Sequence, residues 1–338
     1  MTPSETPRAG ADAAGSDPAG RPRHAFLGPE GTFTEAALRR LVDPAAADLV
    51  PASSVLAALA AVRAGEVDSA VVPIENSVEG GVSATLDDIG SGEELQIRAE
   101  VLVPISFVLV GRPGVALADV RRVSTHTHAW AQVRGWMAER LPGVEFTPAS
   151  STAAGARLLL PAEEVGADDD AAGAVPAADA AVCAPLVAEQ TGLPVLAERI
   201  EDVTGAVTRF VLVSRPGGLP EVTGADKTTV TVPLPHDHPG ALREILDQFA
   251  TRGINLSRIE SRPTGEGMGR YFFSIDLEGH LAEARVGAAL AALHRSFPGV
   301  RFLGSYPRAE GHAVRVPAHV TDEAYRRGSE WVRGILAR

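Results

Sequence analysis

From residue 24 onward, short apolar runs alternate with longer segments in which apolar residues recur with a helical period. Turns rich in Gly, Pro, Ser, Thr or Asn separate them. This alternation is typical of strands that alternate with helices, so it predicts an α/β fold. Successive strand and helix pairs are predicted at 24–28 and 32–41, 69–74 and 85–89, 120–124 and 128–141, 144–147 and 152–160, and 178–183 and 186–190.

Two further apolar runs, 101–110 and 209–214, flank the middle block of this pattern. We predict that each run forms one buried strand of a lobe that is interrupted by a second lobe. A cleft between two such lobes is a common place for a ligand. The run 101–110 is shorter than the roughly 20 apolar residues of a membrane span, and it contains Pro104 and Ser106. We therefore expect no membrane partner.

Residues 165–178 form an acidic segment of low complexity that includes Asp168, Asp169 and Asp170. Consecutive aspartates in a loop that lacks other ligands have no defined coordination geometry. We therefore predict a solvated insertion and not a metal site.

A second module follows a Pro/Gly-rich linker at 216–226. Its pattern is strand, helix, strand, strand, helix, strand, which is typical of a ferredoxin-like domain. The turn that contains Gly265, Gly267 and Gly269 joins two strands, so it is not expected to bind a dinucleotide. The predicted elements of the module are 228–234, 241–250, 254–261, 270–277, 281–297 and 300–306.

The two ends of the chain differ from the rest. Residues 1–23 are rich in Ala, Gly, Pro, Ser and Asp and have no apolar signal-peptide region, so we predict a disordered extension. The tail 309–338 is predicted to contain one helix over 322–337, which begins after Thr321. Its apolar residues lie near one face, and we expect this face to pack on the body of the protein or on a second subunit.

Composition excludes several classes of function. The chain has 43 acidic and 31 basic residues, a net charge of −12, and no dense basic patch, so no nucleic-acid partner is expected. Lys227 is the only lysine and begins a predicted strand, which argues against Schiff-base chemistry. The single cysteine, Cys183, cannot form an internal disulfide, which indicates a cytoplasmic protein.

Common cofactor and metal motifs are also missing from the sequence. It contains no GxxxxGK[ST], HExxH, GxSxG or CxxC pattern. His126 and His128 are two residues apart, so on a helix their side chains would point in different directions. We therefore predict no cofactor and no metal.

Strand-to-helix turns dense in hydroxyls, amides and glycines are the remaining candidates for chemistry. Each combines free backbone N–H groups with the positive end of a helix dipole, which suits a carboxylate or a phosphate. Helix capping alone is the alternative explanation of each turn. The turns are 28–35, 73–81, 125–128 and 150–152.

The tripeptide Thr208-Arg209-Phe210 heads a predicted strand and combines a hydroxyl, a guanidinium and an aromatic ring. Together with GPEGTFTEAA from Gly28 and VPIENSVEGGVSATLD from Val72, it resembles the prephenate dehydratase family. The segments PGAL at 239–242 and ESRP at 260–263 are similar to the phenylalanine-site motifs of the ACT domain that regulates this family. The resemblance covers about residues 24–306.

This resemblance implies a two-lobed catalytic domain like a periplasmic binding protein at 24–215 and a ferredoxin-like ACT domain at 227–308. It implies the decarboxylative dehydration of prephenate to phenylpyruvate without a cofactor. Thr208 would donate to the leaving hydroxyl, and Arg209 would hold the retained carboxylate. The remaining catalytic residues would be Asn76, Ser77 and Phe210, and the substrate-binding residues would be Glu75, Thr32, Thr125, His126, Ser151 and Thr152.

Phenylalanine is the effector implied by the resemblance, in a pocket between two ACT domains of a homo-oligomer, either a dimer or a tetramer. Gly240 would let a helix N-terminus approach the carboxylate of the amino acid, and Ala241 would leave room for its side chain. The effector-binding residues would be Pro239, Gly240, Ala241, Leu242, Glu260, Ser261, Arg262 and Pro263.

Two departures from the family pattern leave local contacts open. The chain has Thr-His-Thr-His-Ala at 125–129 where the family usually has Ser-His-Pro-Gln-Ala, and Ala206 where it usually has Asn. Arogenate dehydratase is an alternative with a closely related substrate. A non-catalytic amino-acid sensor is an alternative of another class, but mere binding does not require Thr208 beside Arg209.

Overall fold

The computed structural model describes residues 20–78, 80–161, 178–234, 238–264 and 270–338. Its α/β architecture confirms the predicted fold class. The acidic segment predicted as a solvated insertion lies outside the described residues except for Ala178, as do the glycine turn at 265–269 and residues 1–19 of the predicted extension.

The strands are β1 Arg23–Leu27, β2 Asp48–Ala52, β3 Ser69–Asn76, β4 Gly80–Gly81, β5 Gln96–Pro104, β6 Val108–Gly111, β7 Arg122–Thr125, β8 Glu145–Pro148, β9 Ala180–Cys183, β10 Val195–Glu198, β11 Val207–Ser214, β12 Asp226–Leu234, β13 Leu256–Pro263, β14 Tyr271–Glu278 and β15 Arg301–Pro307. The helices are α1 Phe33–Leu41, α2 Val55–Ala64, α3 Ser83–Ser91, α4 Thr127–Arg140, α5 Thr152–Arg157, α6 Pro185–Thr191, α7 Ala241–Ala250, α8 Ala284–Ser296 and α9 Asp322–Leu336.

The first lobe is a mixed sheet in the order β2-β1-β3-β11-β5, with the short β4 paired to β3. β1 is parallel to β2 and β3, whereas β11 is antiparallel to both β3 and β5. Side chains of its strands alternate between two apolar clusters. One cluster packs Phe26, Val71 and Phe210 against α1, and the other packs Val72 and Val211 against α2 and α3.

The second lobe is a sheet in the order β10-β6-β9-β7-β8 that packs against α4, α5 and α6. The chain enters this lobe between β5 and β6 and leaves it between β10 and β11. The prediction of one strand over 101–110 was therefore wrong. Proline has no N–H to donate, and β5 ends at Pro104. The N–H of Ile105 then donates to the carbonyl of Ala206, which joins the two crossover segments at 2.8 Å.

The C-terminal domain has an antiparallel sheet in the order β13-β14-β12-β15, and its chain order confirms the predicted ferredoxin-like pattern. One face of the sheet packs Val230, Ile275 and Leu277 against α7 and α8. The opposite face is turned to the first lobe, where β15 lies along β5. Gly304 approaches the backbone of Ile97 so closely that a Cβ there would clash with it.

The tail carries α9, which Thr321 caps by accepting a hydrogen bond from the N–H of Ala324 at 3.3 Å. Asp322 accepts from the N–H of Ala284 at the start of α8, at 2.8 Å. The apolar residues near the end of α9 are exposed, Trp331 and Leu336 most of all. No helix in the described part of the chain is both long enough and apolar enough to cross a membrane.

Candidate active site and its contact with the C-terminal domain

Thr208 and Asn76 face each other across the antiparallel pair of β11 and β3. The side-chain amide of Asn76 donates to Oγ1 of Thr208 at 2.8 Å, and its carbonyl oxygen accepts from the N–H of Val78 at 2.8 Å. This second bond fixes which way the amide points. Thr208 is 7% exposed and lies beside the crossover segments that join the lobes. An accepting Oγ1 leaves the proton of Thr208 free to donate elsewhere.

Ser77 fastens the loop after β3 to the first residue of β11. Its Oγ accepts from the N–H of Val207 at 2.9 Å, and its own N–H donates to the carbonyl of Val207 at 2.9 Å. The hydroxyl of Ser77 therefore helps to hold the position at which Thr208 enters the sheet.

Arg209 points to the face of the sheet opposite Thr208, because neighbouring residues of a strand alternate. Its Nε donates to Glu100 at 2.6 Å, its Nη1 to Asp276 at 2.5 Å and its Nη2 to the hydroxyl of Tyr306 at 2.9 Å. The side chain is buried, and a longer ion pair of 3.5 Å joins it to Glu75. This placement differs from the expected grip on a substrate carboxylate, because two buried carboxylates already occupy the guanidinium.

These contacts belong to a buried network that joins the first lobe to the C-terminal domain. Lys227 donates to both oxygens of Glu100, at 3.0 and 2.9 Å, and Arg258 donates to both oxygens of Asp276, at 3.0 and 3.1 Å. Burial alone would raise the pKa of Asp276, but Arg209 and Arg258 lower it more, so this pKa lies far below its usual range. Asp276 is therefore ionised throughout the physiological pH range.

Two of the predicted substrate-binding hydroxyls are used within the protein. Oγ1 of Thr32 caps α1 by accepting from the N–H of Glu35 at 3.3 Å and donates to the carbonyl of Leu27 at 2.9 Å. Oγ1 of Thr125 is fully buried and donates to the carbonyl of Val182 at 2.8 Å. The hydroxyl of Thr32 therefore serves as a helix cap, and that of Thr125 links two neighbouring strands of the second lobe.

The predicted residues of the second lobe lie at two helix N-termini. Ser151 caps α5 by accepting from the N–H of Ala154 at 2.9 Å, and Thr152 is the first residue of that helix. His126 caps α4, where its Nδ1 accepts from the N–H of His128 at 3.3 Å. Burial, and then the neighbouring His128, lower the pKa of His126, which favours the neutral ring that can accept this bond.

Glu35 is a buried residue at the boundary between the lobes that the sequence analysis missed. It accepts from the N–H of Gly31 at 2.5 Å and from the side-chain amide of Gln190 on α6 at 3.2 Å. It also pairs with Arg39 on its own helix. A signal was present, since Thr32 and Glu35 have the spacing of a capping box.

The predicted effector residues on β13 point to two different faces of the sheet, because side chains alternate along a strand. Glu260 and Arg262 are turned to the first lobe, where Arg262 binds Asp87 through two hydrogen bonds of 2.8 Å. Ser261 and Pro263 are exposed on the other side of the strand. Gly240 occupies the N-cap position of α7 and has a φ of 96°, a conformation that favours glycine. Ala241 is buried, whereas Pro239 and Leu242 are exposed.

No group of three or more His, Cys, Asp or Glu side chains within the described ranges is arranged to hold a metal ion. A cavity of about 410 Å³ lies in the second lobe among Ser106, Pro185 and Arg199. A second cavity, of about 260 Å³, lies beside the buried network and is lined by Glu75, Arg209, Lys227, Arg258 and Glu310, among others. Its lining contains both cations and carboxylates, so it has no clear preference for an anion.

The fold and the site together define a two-lobed α/β enzyme with a C-terminal regulatory domain docked on its first lobe. Family comparisons agree, because the prephenate dehydratase model matches residues 24–217 and the ACT domain model matches residues 228–295. The chain therefore belongs to the prephenate dehydratase family of carbon–oxygen lyases, in the form that carries a C-terminal ACT domain.

Three individual proteins illustrate the likeness. A prephenate dehydratase of Amycolatopsis methanolica is 45% identical over 314 residues, which are 93% of this chain and 97% of that protein. The crystal structure of a prephenate dehydratase from Arthrobacter aurescens in complex with L-Phe is 59% identical, covers 94% of this chain and 100% of its own, and has a TM-score of 0.83. GqqA, described as a quorum quenching acylase, is 31% identical, covers 84% and 97% of the two chains, and has a TM-score of 0.69.

Proposed function

We propose that this protein converts prephenate to phenylpyruvate and that phenylalanine regulates this reaction through the ACT domain. The hydrogen bond from Asn76 to Thr208 is the observation that supports the proposal most directly. It presents an O–H group, turned away from the amide that donates to its oxygen, beside the segments that connect the two lobes. A donor held in advance at the position where charge develops accelerates a reaction without reorganisation.

The reaction consumes one proton and releases carbon dioxide and water. The bond between the ring and its carboxylate breaks, and the electron pair moves into the ring, which becomes aromatic. The bond to the ring hydroxyl breaks at the other side, and this group leaves as water. Thr208 donates a hydrogen bond to the departing oxygen, and the proton comes ultimately from solvent because an alcohol is a poor acid near neutral pH.

Asn76 and Ser77 position the hydroxyl of Thr208. Asn76 donates to one lone pair of the Thr208 oxygen, so the hydroxyl proton points away from Asn76 and is available to the substrate. Ser77 anchors Val207, the residue before Thr208. Phe210 faces the same side of β11 as Thr208 and packs in the α1 cluster, which keeps the strand in register.

Arg209 acts in this proposal as a positioning residue and not as a ligand of the substrate. Its guanidinium joins Glu100 of the first lobe to Asp276 and Tyr306 of the ACT domain. Thr208 is its neighbour on β11, so the network holds the catalytic strand on one face while the substrate binds at the other. Glu75 orders the loop, because its backbone pairs with Gly81 and its carboxylate with Arg209.

Helix N-termini at the boundary between the lobes supply the groups for the substrate carboxylates. Thr32 caps α1 next to α6 of the other lobe, since a Cβ on Gly31 would clash with Val187. The free N–H groups of a helix N-terminus and its dipole attract anions. His126 at α4 and Ser151 and Thr152 at α5 begin helices of the second lobe, and Thr125 supports the turn before α4.

Incubation of the purified protein with prephenate, with detection of phenylpyruvate, tests the reaction. We expect the wild type and Thr208→Ser to form product and the isosteric Thr208→Val to lose about a hundredfold to a thousandfold of its kcat, as for loss of one positioned donor. Arogenate is run in parallel, because preferential turnover of arogenate would assign the protein to the alternative substrate. Phenylalanine binding without turnover of either compound would support the alternative of a non-catalytic amino-acid sensor.

The assembly and the location are part of the same proposal. β13 is an edge strand of the ACT sheet, and the side chain of Ile259 on it is 43% exposed, which suits contact with a second copy in a dimer or tetramer. The lone cysteine and the family suit the cytoplasm. Analytical ultracentrifugation with and without phenylalanine checks the assembly, and a monomer under both conditions would contradict it.

A further inference from the structure

Helix α3 of the first lobe is contacted by three strands of the ACT domain. Arg301 of β15 donates to the carbonyls of Gly90 and Gly92 at the end of this helix, at 3.0 and 2.5 Å. A Cβ on Gly90 would clash with the ring of Phe272 on β14. Asp87, in the middle of the helix, binds Arg262 of β13. The helix is thus contacted along its length by the regulatory domain.

The turn that leads into α3 is contacted by strand β13 of the ACT domain, which also carries Arg262. The carboxylate of Glu260 lies against Gly81 so closely that any side chain at this position would clash with it. Gly81 and Gly80 form β4, which pairs residue by residue with Glu75 and Asn76. The contact at Gly81 is therefore one residue pair away from Asn76, which holds the hydroxyl of Thr208.

Strand β13 has two faces with different partners. Arg258, Glu260 and Arg262 point to the first lobe, while Ile259 and Ser261 between them are exposed. The exposed face of the strand, which carries Ser261, is open to a small ligand. The sequence motif at 260–263 thus contains two residues that contact the first lobe and two that do not.

We propose that Glu260 and Arg262 are positioning residues that connect the effector site to the catalytic loop through Gly81 and Asp87, and that they do not bind phenylalanine. This inference rests on the proposed function, because it assigns the regulation of that same site. Phenylalanine on the exposed face of β13 moves or stiffens the strand, and the opposite face carries this change to β4 and α3. The coupling exists only if phenylalanine binds two arrangements of this contact unequally.

A single substitution separates coupling from binding. Asp87→Ala removes the partner of Arg262. Residue 87 belongs to the first lobe, whereas the proposed phenylalanine site belongs to the ACT domain. We expect its dissociation constant for phenylalanine, measured by calorimetry, to stay within about threefold of wild type, while the ratio of kcat/KM with and without phenylalanine moves at least about fivefold toward one, the lower end of typical allosteric coupling. Asp87→Glu retains the charge, and we expect it to restore most of this ratio.

The adjacent residue provides the matched control. Asp88 pairs at 2.5 Å with Arg63 of α2, within the first lobe, so Asp88→Ala breaks an ion pair on the same helix without touching the ACT domain. We expect Asp88→Ala to keep the wild-type ratio. Hydrogen exchange of 83–91 gives a readout without activity, and we expect phenylalanine to change it in the wild type and not in Asp87→Ala.

Several results would overturn the inference: an unchanged ratio in Asp87→Ala, an equal loss in Asp88→Ala, or a wild type that does not bind phenylalanine. Arg262→Ala with binding weakened about tenfold, about 1.4 kcal/mol, would also overturn it by making Arg262 a ligand. A wild type that binds phenylalanine but does not convert prephenate would overturn the proposed reaction alone. The exchange of 83–91 would then decide this inference.

Discussion

The side-chain amide of Asn76 donates a hydrogen bond of 2.8 Å to the hydroxyl oxygen of Thr208, across two neighbouring strands of the first lobe. The two residues are 132 positions apart in the chain. The bond keeps the Thr208 proton from pointing at Asn76, because the amide nitrogen can only donate.

Replacement of Asn76 by aspartate, which has nearly the same shape, should reverse this bond. The carboxylate accepts from Thr208, so the hydroxyl proton is drawn away from the substrate. We expect kcat to fall about a hundredfold to a thousandfold with little change in KM. Steady-state kinetics of Asn76→Asp, Thr208→Val and the double variant test this. Losses that simply add would show that the two residues act independently.

Arg209→Lys retains the charge but loses the planar fork that reaches Glu100, Asp276 and Tyr306 together. We expect a free energy of unfolding lower by about 1–3 kcal/mol, because hydrogen bonds to buried charged groups are lost. We also expect a lower kcat with KM within about threefold of wild type, since the side chain positions β11. Urea unfolding and steady-state kinetics measure the two effects. A KM raised tenfold at unchanged stability would instead indicate a substrate ligand.

Asp276→Asn should lower the free energy of unfolding at pH 7 by about 3–5 kcal/mol, because Arg209 and Arg258 are left without their shared buried charge. The folded pKa of Asp276 is depressed, so its stabilisation is complete above the unfolded pKa of about 3.9 and is lost as the pH falls below that value. Because the folded pKa lies far below that value, the loss is gradual, and denaturation series from pH 7 to pH 3 should show a constant difference between the two proteins down to about pH 4 and a narrowing difference below it. A constant difference across this range would contradict the assignment.

Burial raises the pKa of the Cys183 thiol to about 12, so almost no thiolate exists in the folded protein at pH 8. We expect a disulfide reagent to label the native protein at least about a hundredfold more slowly than the protein in 6 M guanidinium chloride, where the thiol has its ordinary pKa of about 8.5. Absorbance of the released thiolate follows the reaction. Equal rates would mean that the thiol is accessible in the folded state.

Gly240→Val should weaken phenylalanine binding at least about tenfold, because a β-branched residue is strained at a φ of 96° and shifts the N-terminus of α7. Among the residues that the structure describes, none apart from its two chain neighbours has an atom within 4 Å of a Cβ built there, so we attribute the effect to backbone strain and not to crowding. Calorimetry measures the binding. Gly328→Val, on the exposed α9, is a control without such strain, and equal effects of both changes would remove Gly240 from the effector site.

The order of strands and helices was largely determined by the sequence, because hydrophobic period and capping residues act over one or two turns. The ACT pattern and the helix that begins at Ala241 were predicted at nearly the observed bounds. The prediction of the run 101–110 failed because its strand ends at Pro104 and a second strand starts at Val108 in a different sheet. Apolar composition alone does not reveal that a strand changes lobes.

The residue types at the site were also determined by the sequence, since the motifs that contain Asn76, Thr208 and Arg209 are local. Which of these residues faces the substrate and which joins the two domains was decided by the tertiary structure. Alternation along β11 places Thr208 and Arg209 on opposite faces, and only the packing of a second domain put Asp276 and Tyr306 against Arg209. Partners 67 and 97 positions away along the chain leave no local pattern, because their contact with Arg209 depends on how separate sheets pack and not on the period of either sheet.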